Sequence, residues 1–238
     1  MAATTPRERV WQSIRHQQPD RTPWHFGLTI PARMKLEEYY GTTDLDEALD
    51  QNIVKIRTRL PAVEVRPGFF QDEFGILWNR TFDKDIGNVV DYILKERSLK
   101  NFLFPDPHHP KRLAAFPAFI EKNPDRFRLV SIGFSLFERA WSLYGMANLM
   151  EDMLTEPEFV DELLDAILEY DLAVLEDVVQ LDIDAVQFGD DWGQQTGLLF
   201  GPRLWRRFIK PRIARLYAAT HQAGKAVFIH SCGKVQEL

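Results

Sequence analysis

Near the end of the chain, His230-Ser231-Cys232-Gly233 presents an imidazole and a thiol two residues apart. On an extended segment the side chains at i and i+2 share a face, so His230 and Cys232 can converge on one metal ion. An imidazole with a thiolate suits zinc, and a complete site needs at least one more protein ligand. Spacing by itself leaves open a buried histidine beside a small, apolar-like cysteine. A second group is Gly189-Asp190-Asp191-Trp192-Gly193-Gln194. Two adjacent carboxylates beside an indole can serve as general base, ligand or anchor for a cationic group; the plainer alternative is one helix cap and one solvated acid. Asp190 and Asp191 are the candidate catalytic pair, with Trp192 and Gln194 expected against a small-molecule substrate. Ser131-Ile132-Gly133-Phe134-Ser135, with Glu138-Arg139 just beyond, offers small residues that let a ligand approach the backbone. Ser135 and His25 complete the expected substrate contacts, against the plainer readings of a tight strand-to-helix turn and a satisfied core histidine. His108-His109 sits in the proline-rich connector Asn101 to Pro110 and reads as solvated, because neighbours in an irregular loop point apart.

These groups need elements that end side by side. Thr5-Pro6-Arg7-Glu8 carries a capping box with proline at the first helical position, predicting a helix that stops near Gln17-Gln18 before Pro19. Thr22 to Leu28 reads as a first buried strand, and a short helix closes over Glu37 to Tyr40 before Gly41. Residues 63–94 read as an antiparallel β-hairpin excursion within one domain spanning 1–238, with turn signals at Arg66-Pro67-Gly68 and Asp72-Glu73-Phe74-Gly75. The apolar, β-branched run Phe127 to Gly133 predicts a strand, followed by a helix from about Leu136 to Met153. Thr155-Glu156-Pro157-Glu158 opens a long helix with a capping box and a first-turn proline, and its apolar positions from Phe159 to Val179 keep helical spacing. Asp184 to Gly189 is the next strand, Pro202 to Ala223 a helix interrupted by Pro211, and Ala226 to His230 the last strand. Strands separated by helices imply right-handed βαβ units and a parallel sheet, and the fold class is α/β, a (β/α)₈ TIM barrel. With about five of eight strands in view, the barrel is expected to be truncated at its C-terminus. In such a fold catalytic groups gather where strands end, which is where Asp190, Asp191, His230 and Cys232 fall.

The composition narrows the function. There are 29 Lys and Arg against 35 Asp and Glu, a net charge of −6, which argues against nucleic-acid binding. The hydrophobic fraction of 45% and charged fraction of 27% match an ordinary globular protein. No apolar run is long enough for a membrane span, and the first ten residues lack a signal core. The single cysteine rules out an internal disulfide and fits a reducing cytoplasm.

Taken together, Pro6-Arg7-Glu8-Arg9-Val10, His16-Gln17-Gln18-Pro19-Asp20-Arg21-Thr22-Pro23, Gly189-Asp190-Asp191-Trp192-Gly193, Phe208-Ile209-Lys210-Pro211-Arg212 and Ala223-Gly224-Lys225 leading to His230-Ser231-Cys232-Gly233 resemble the uroporphyrinogen decarboxylase superfamily. Its members are porphyrinogen decarboxylases and zinc-dependent, corrinoid-linked methyltransferases acting on thiols. The resemblance implies a (β/α)₈ barrel and full-length members longer than this chain. The decarboxylases carry an arginine-rich segment after the first strand; here the matching stretch, Phe26 to Arg33, keeps only Arg33. A tetrapyrrole with many carboxylates would then lack its clamps. The methyltransferase branch holds zinc with H-x-C and a later cysteine, and His230 and Cys232 fall on the first two positions. The leading expectation is therefore a methyltransferase-like enzyme with zinc on His230 and Cys232, a corrinoid methyl donor and a corrinoid protein as partner. The alternatives are porphyrinogen decarboxylation, with Asp190 or Asp191 on pyrrole nitrogens, and an inactive truncated barrel acting as a binding or assembly module. An open sheet edge would favour a homo-oligomer.

Overall fold

A computed structural model describes residues 4–238. In chain order the elements are helices α1 (Pro6–Ile14), α2 (Ile30–Tyr40) and α3 (Leu45–Ala48), then strands β1 (Ile53–Arg57), β2 (Val63–Arg66), β3 (Phe69–Gln71), β4 (Leu77–Asn79) and β5 (Asn88–Asp91). They continue with α4 (Phe116–Lys122), β6 (Phe127–Ile132), α5 (Leu136–Tyr144), α6 (Met146–Thr155), α7 (Pro157–Val179), β7 (Ala185–Gly189), α8 (Gly201–Leu204), α9 (Lys210–Gln222) and β8 (Ala226–His230). Strands β1, β6, β7 and β8 form a parallel sheet in that order, and β2 to β5 an antiparallel meander. The architecture is the α/β arrangement read from the strand and helix pattern.

Alternation along the parallel strands sorts residues onto two faces. Val130, Ile132, Val186 and Phe188 face outward into the main core with Phe137, Leu163, Ile167 and Ile213 of the surrounding helices. Phe127, Leu129 and Ala185 face inward, where Val10 of α1 packs against them at the strands' N-terminal ends. The lower inner face is thus filled, and the open space lies above it, at the C-terminal ends. The meander joins the main core through Phe74, Ile76 and Trp78, with Trp78 edge-on to Phe134 and Trp141. No helix among the described residues is long and apolar enough to cross a membrane.

Several local readings change. Thr22 to Leu28 is extended chain without a strand ladder. Pro23 has no amide proton to give, and the Asn52 and Gln51 side chains take the amides of Trp24 and Phe26. The first parallel strand is β1 instead, which the pattern did not announce because Lys55 and Arg57 interrupt its apolar run. Helix α1 ends at Ile14, with His16 at φ 57°. The single helix expected from Leu136 is two, broken at Gly145, whose φ of 100° leaves the helical region. Thr155 does not cap α7; its hydroxyl bonds back to Glu151 O and to Asp152 in the preceding helix. The interruption at Pro211 is met by a π-helical turn, Trp205–Ile209, which absorbs the missing amide just upstream.

Candidate metal centre and cavity

The loops after β7 and β8 run in backbone contact. Asp190 N donates to His230 O (3.2 Å) and Lys234 N to Gln194 O (2.9 Å). A Cβ on Gly233, at φ 79°, would stand 2.2 Å from Gly193 C, and one on Gly193 would stand 2.6 Å from Cys232 O. Only glycine at both positions allows this approach, and the approach carries Asp191 against the H-x-C segment. Cys232 N donates to Asp191 Oδ1 (2.7 Å). Asp191 Oδ1 also lies 3.5 Å from His230 Nε2, which is 3.7 Å from Cys232 Sγ.

These separations suit a tetrahedral cation. Bonds of about 2.0–2.3 Å place adjacent ligand atoms roughly 3.3–3.6 Å apart. Asp191, His230 and Cys232, with ligand atoms all within 4.8 Å of one another, are the group among the described residues that could hold a metal ion. The Asp191 carboxylate pushes the Cys232 thiol up to about 11, a cost that a bound cation would reverse.

Asp190 and Asp191 part company. Asp190 is buried and accepts N–H bonds from Phe137 (2.9 Å) and Glu138 (2.7 Å) at the N-terminus of α5, and from Trp192 Nε1 (2.8 Å). Burial pushes its carboxyl up to about 6 against the pull of these donors. It caps and braces, while Asp191 lines the cavity. Three of the four expected substrate contacts are likewise spent elsewhere. Ser135 is buried with its hydroxyl on Gly189 O (2.6 Å). Trp192 is buried against Trp205. His25, half-buried, places Nδ1 on Ile53 O (2.9 Å), outside the cavity. Gln194 is exposed at the loop tip, Arg33 pairs with Glu37 on α2, and His108 pairs with Asp177 rather than with His109.

The cavity above the inner face measures about 520 Å³, with His230 and Cys232 on one wall and Lys55, Arg57, Arg59 and Arg139 on another. Glu138 faces the same space, pushed up to about 8 by burial and then by the charges of Asp190 and Asp191. Phe134 adopts φ 50°, a conformation that costs a non-glycine residue about 1–3 kcal/mol. There its ring lies 4.5 Å from the Arg59 guanidinium and 5.8 Å from that of Arg139. Sequence reasoning missed the cations of β1. Their signal was the two-residue spacing in Lys55-Ile56-Arg57-Thr58-Arg59, which sets three charges on one face of an extended segment.

A family model described as uroporphyrinogen decarboxylase (URO-D) matches residues 83–238. A solved methyltransferase from Methanosarcina mazei is similar in fold, with a TM-score of 0.65 at 16% identity, over 96% of this chain and 70% of that one. Among the curated proteins, no sequence matches the chain.

Proposed function

The chain belongs to the uroporphyrinogen decarboxylase (URO-D) family, and on that premise we propose that its cavity transfers a methyl group from a corrinoid to a thiol, with zinc held by Asp191, His230 and Cys232. What carries this reading is the meeting of those three ligand atoms within 4.8 Å at the wall of the cavity. The methyltransferase from Methanosarcina mazei, alike in fold, supports the same choice of reaction. Zinc bound there supplies the positive charge that favours the thiolate form of a substrate thiol. The remaining work falls to the chain. Asp191 orients the Cys232 backbone through its amide, and Gly193 with Gly233 keeps the two loops in register. Glu138 faces the cavity with no side-chain partner among the described residues, and burial keeps its carboxyl largely protonated at neutral pH, so it would offer a ligand a hydrogen bond rather than take up a proton.

Metal analysis of purified protein tests the reading. About one zinc per chain is expected, lost in Cys232→Ala and weakened at least tenfold in Gly233→Ala, whose Cβ would drive the loops apart. A wild-type protein that takes up no zinc, or a Cys232→Ala variant that keeps it, overturns the assignment. A second reading, decarboxylation of a porphyrinogen or another polycarboxylate, draws on the cavity's cations as carboxylate partners. Asp190 is no longer available to it, since its oxygens are occupied by backbone and indole N–H groups. Release of carbon dioxide from uroporphyrinogen would establish it.

A further inference from the structure

The ladder register sorts the inner face of the parallel sheet into rows. Lys55 pairs with Leu129, Leu129 with Ala185 and Ala185 with Ala226. Lys55 is the one member of this row with a polar end, and its neighbours Leu129 and Ala185 are buried. The next row on the same face begins with Arg57. Lys55 is half-buried and lines the cavity, and among the described residues its Nζ neither donates a hydrogen bond nor joins an ion pair. Lys225, at the N-terminal end of the same sheet, is used differently: its amine donates to Leu181 O and Ile183 O, each at 3.1 Å.

The charges around this amine do not hold it protonated. Burial first, and the Arg57 guanidinium second, keep Lys55 below its ordinary value. The acids of the cavity, Asp72, Glu73, Asp85, Glu138 and Asp191, line other parts of its wall. Two of them are engaged by other cations, Asp72 by Arg139 (3.2 Å) and Glu73 by Arg112 (2.6 Å). His25 supplies no anion either; lowered by burial first, it is lowered further by the charge of Lys55 itself. A desolvated lysine beside a fixed cation keeps part of its population as free amine, and a free amine at a cavity wall is a nucleophile for carbonyl carbon.

We propose that Lys55 is a nucleophile that condenses with the carbonyl group of a small aldehyde or ketone entering the cavity. The amine lone pair bonds to the carbonyl carbon while the π pair of the C=O bond moves onto oxygen. A proton passes from nitrogen to that oxygen, giving a carbinolamine. The hydroxyl then leaves as water with a proton taken from solvent, and the nitrogen lone pair closes a protonated imine. The step draws on the amine alone, so it stands or falls apart from the thiol-methylation reading above.

Reductive trapping tests this. The protein is treated briefly with butanal and sodium cyanoborohydride, which delivers hydride to a protonated imine and leaves a butylated amine, and the labelled lysines are mapped by peptide mass spectrometry. Near neutral pH, Lys55 should be labelled several-fold faster than Lys35 and Lys100, although those two are exposed and Lys55 is half-buried. Its labelling rate should also rise at lower pH than theirs, because its amine is freed earlier. Arg57→Met should narrow the lead by removing the neighbouring cation. Lys55→Met should abolish the fast labelling and leave the slow labelling of the other lysines in place. Labelling of Lys55 no faster than that of Lys35 and Lys100, or with the same pH profile, overturns the proposal whether or not the protein holds zinc.

Discussion

At the N-terminal end of the parallel sheet the carboxylate of Asp184, 2% exposed, accepts from Arg7 Nε (2.8 Å), Trp11 Nε1 (2.9 Å) and the Arg128 backbone amide (2.9 Å). Below the cavity at the opposite end, Asp171 is 5% exposed, yet its Oδ2 is buried with no hydrogen-bond partner. The cations differ in the same sense. Arg7 and Arg128 share Asp182 and Asp184, whereas Lys55, Arg57 and Arg59 are left without counter-ions among the described residues. Residues of the same types close the fold at one end and are held open at the other. The closed end ties α1 to β6 and the turn before β7. The open end keeps Lys55, Arg57 and Arg59 without ion pairs among the described residues on a cavity wall that Glu138 and Asp191 also line, consistent with function collecting where parallel strands finish.

Breaking the closed end should have the largest effect. Asp184→Ala leaves Arg7, the Trp11 indole and a buried amide without their acceptor, and removing one partner of a buried charged network costs about 3–5 kcal/mol. Urea unfolding should show a much lower midpoint with an unchanged slope, and Asp184→Asn should recover part of the loss by keeping an acceptor oxygen. The next largest effect sharpens the contrast through pH. Burial raises the Asp171 carboxyl from 3.8 to about 7. In that window the folded protein keeps a proton that the unfolded chain has released. Stability from this group is therefore full below pH 3.8 and falls as pH rises through about 7, by at most about 4 kcal/mol. Asp171→Asn cannot titrate, so its stability relative to wild type should climb across the same range. Parallel pH–stability curves for the two proteins would show that Asp171 is satisfied after all.

The start of α1 and the convergence of His230 with Cys232 were legible because their signals are local. Thr5 and Glu8 do form the capping box that starts α1, and His230-x-Cys232 needs only an extended backbone to put its atoms on one side. Asp191 was visible as an acid at a strand end, but nothing in Asp190-Asp191 says which of the two turns into the cavity. That depends on α5 arriving with free amides for Asp190 to cap. Ser135 and Trp192 were read as substrate contacts for the same reason, since a polar group beside a strand end looks alike whether it faces a ligand or a neighbouring carbonyl. The cation wall was hidden for a deeper reason. Apolar alternation marks a strand whose polar side meets water, whereas the polar side of β1 meets an enclosed cavity, so Lys55 and Arg57 read as interruptions. Thr155 shows the reverse error: its capping-box spacing was present, but Asp152 and Glu151 O were nearer partners.

The smallest expected effect is the most discriminating. If the open end is kept open for a ligand, removing one of its charges should cost the fold nothing. Arg57→Met keeps the apolar stem, deletes a cation that pairs with no acid among the described residues, and relieves the repulsion that, after burial, is the second cause holding Lys55 down. Stability should stay within about 0.5 kcal/mol of wild type, shifted toward the more stable side, as for relief of like charges at a partly exposed site. The Lys55 amine should titrate closer to its ordinary value, seen as slower acylation of that lysine at pH 9. A loss of 2 kcal/mol or more would mean that Arg57 is bound into the fold as Arg128 is, and the two ends of the sheet would no longer differ in kind.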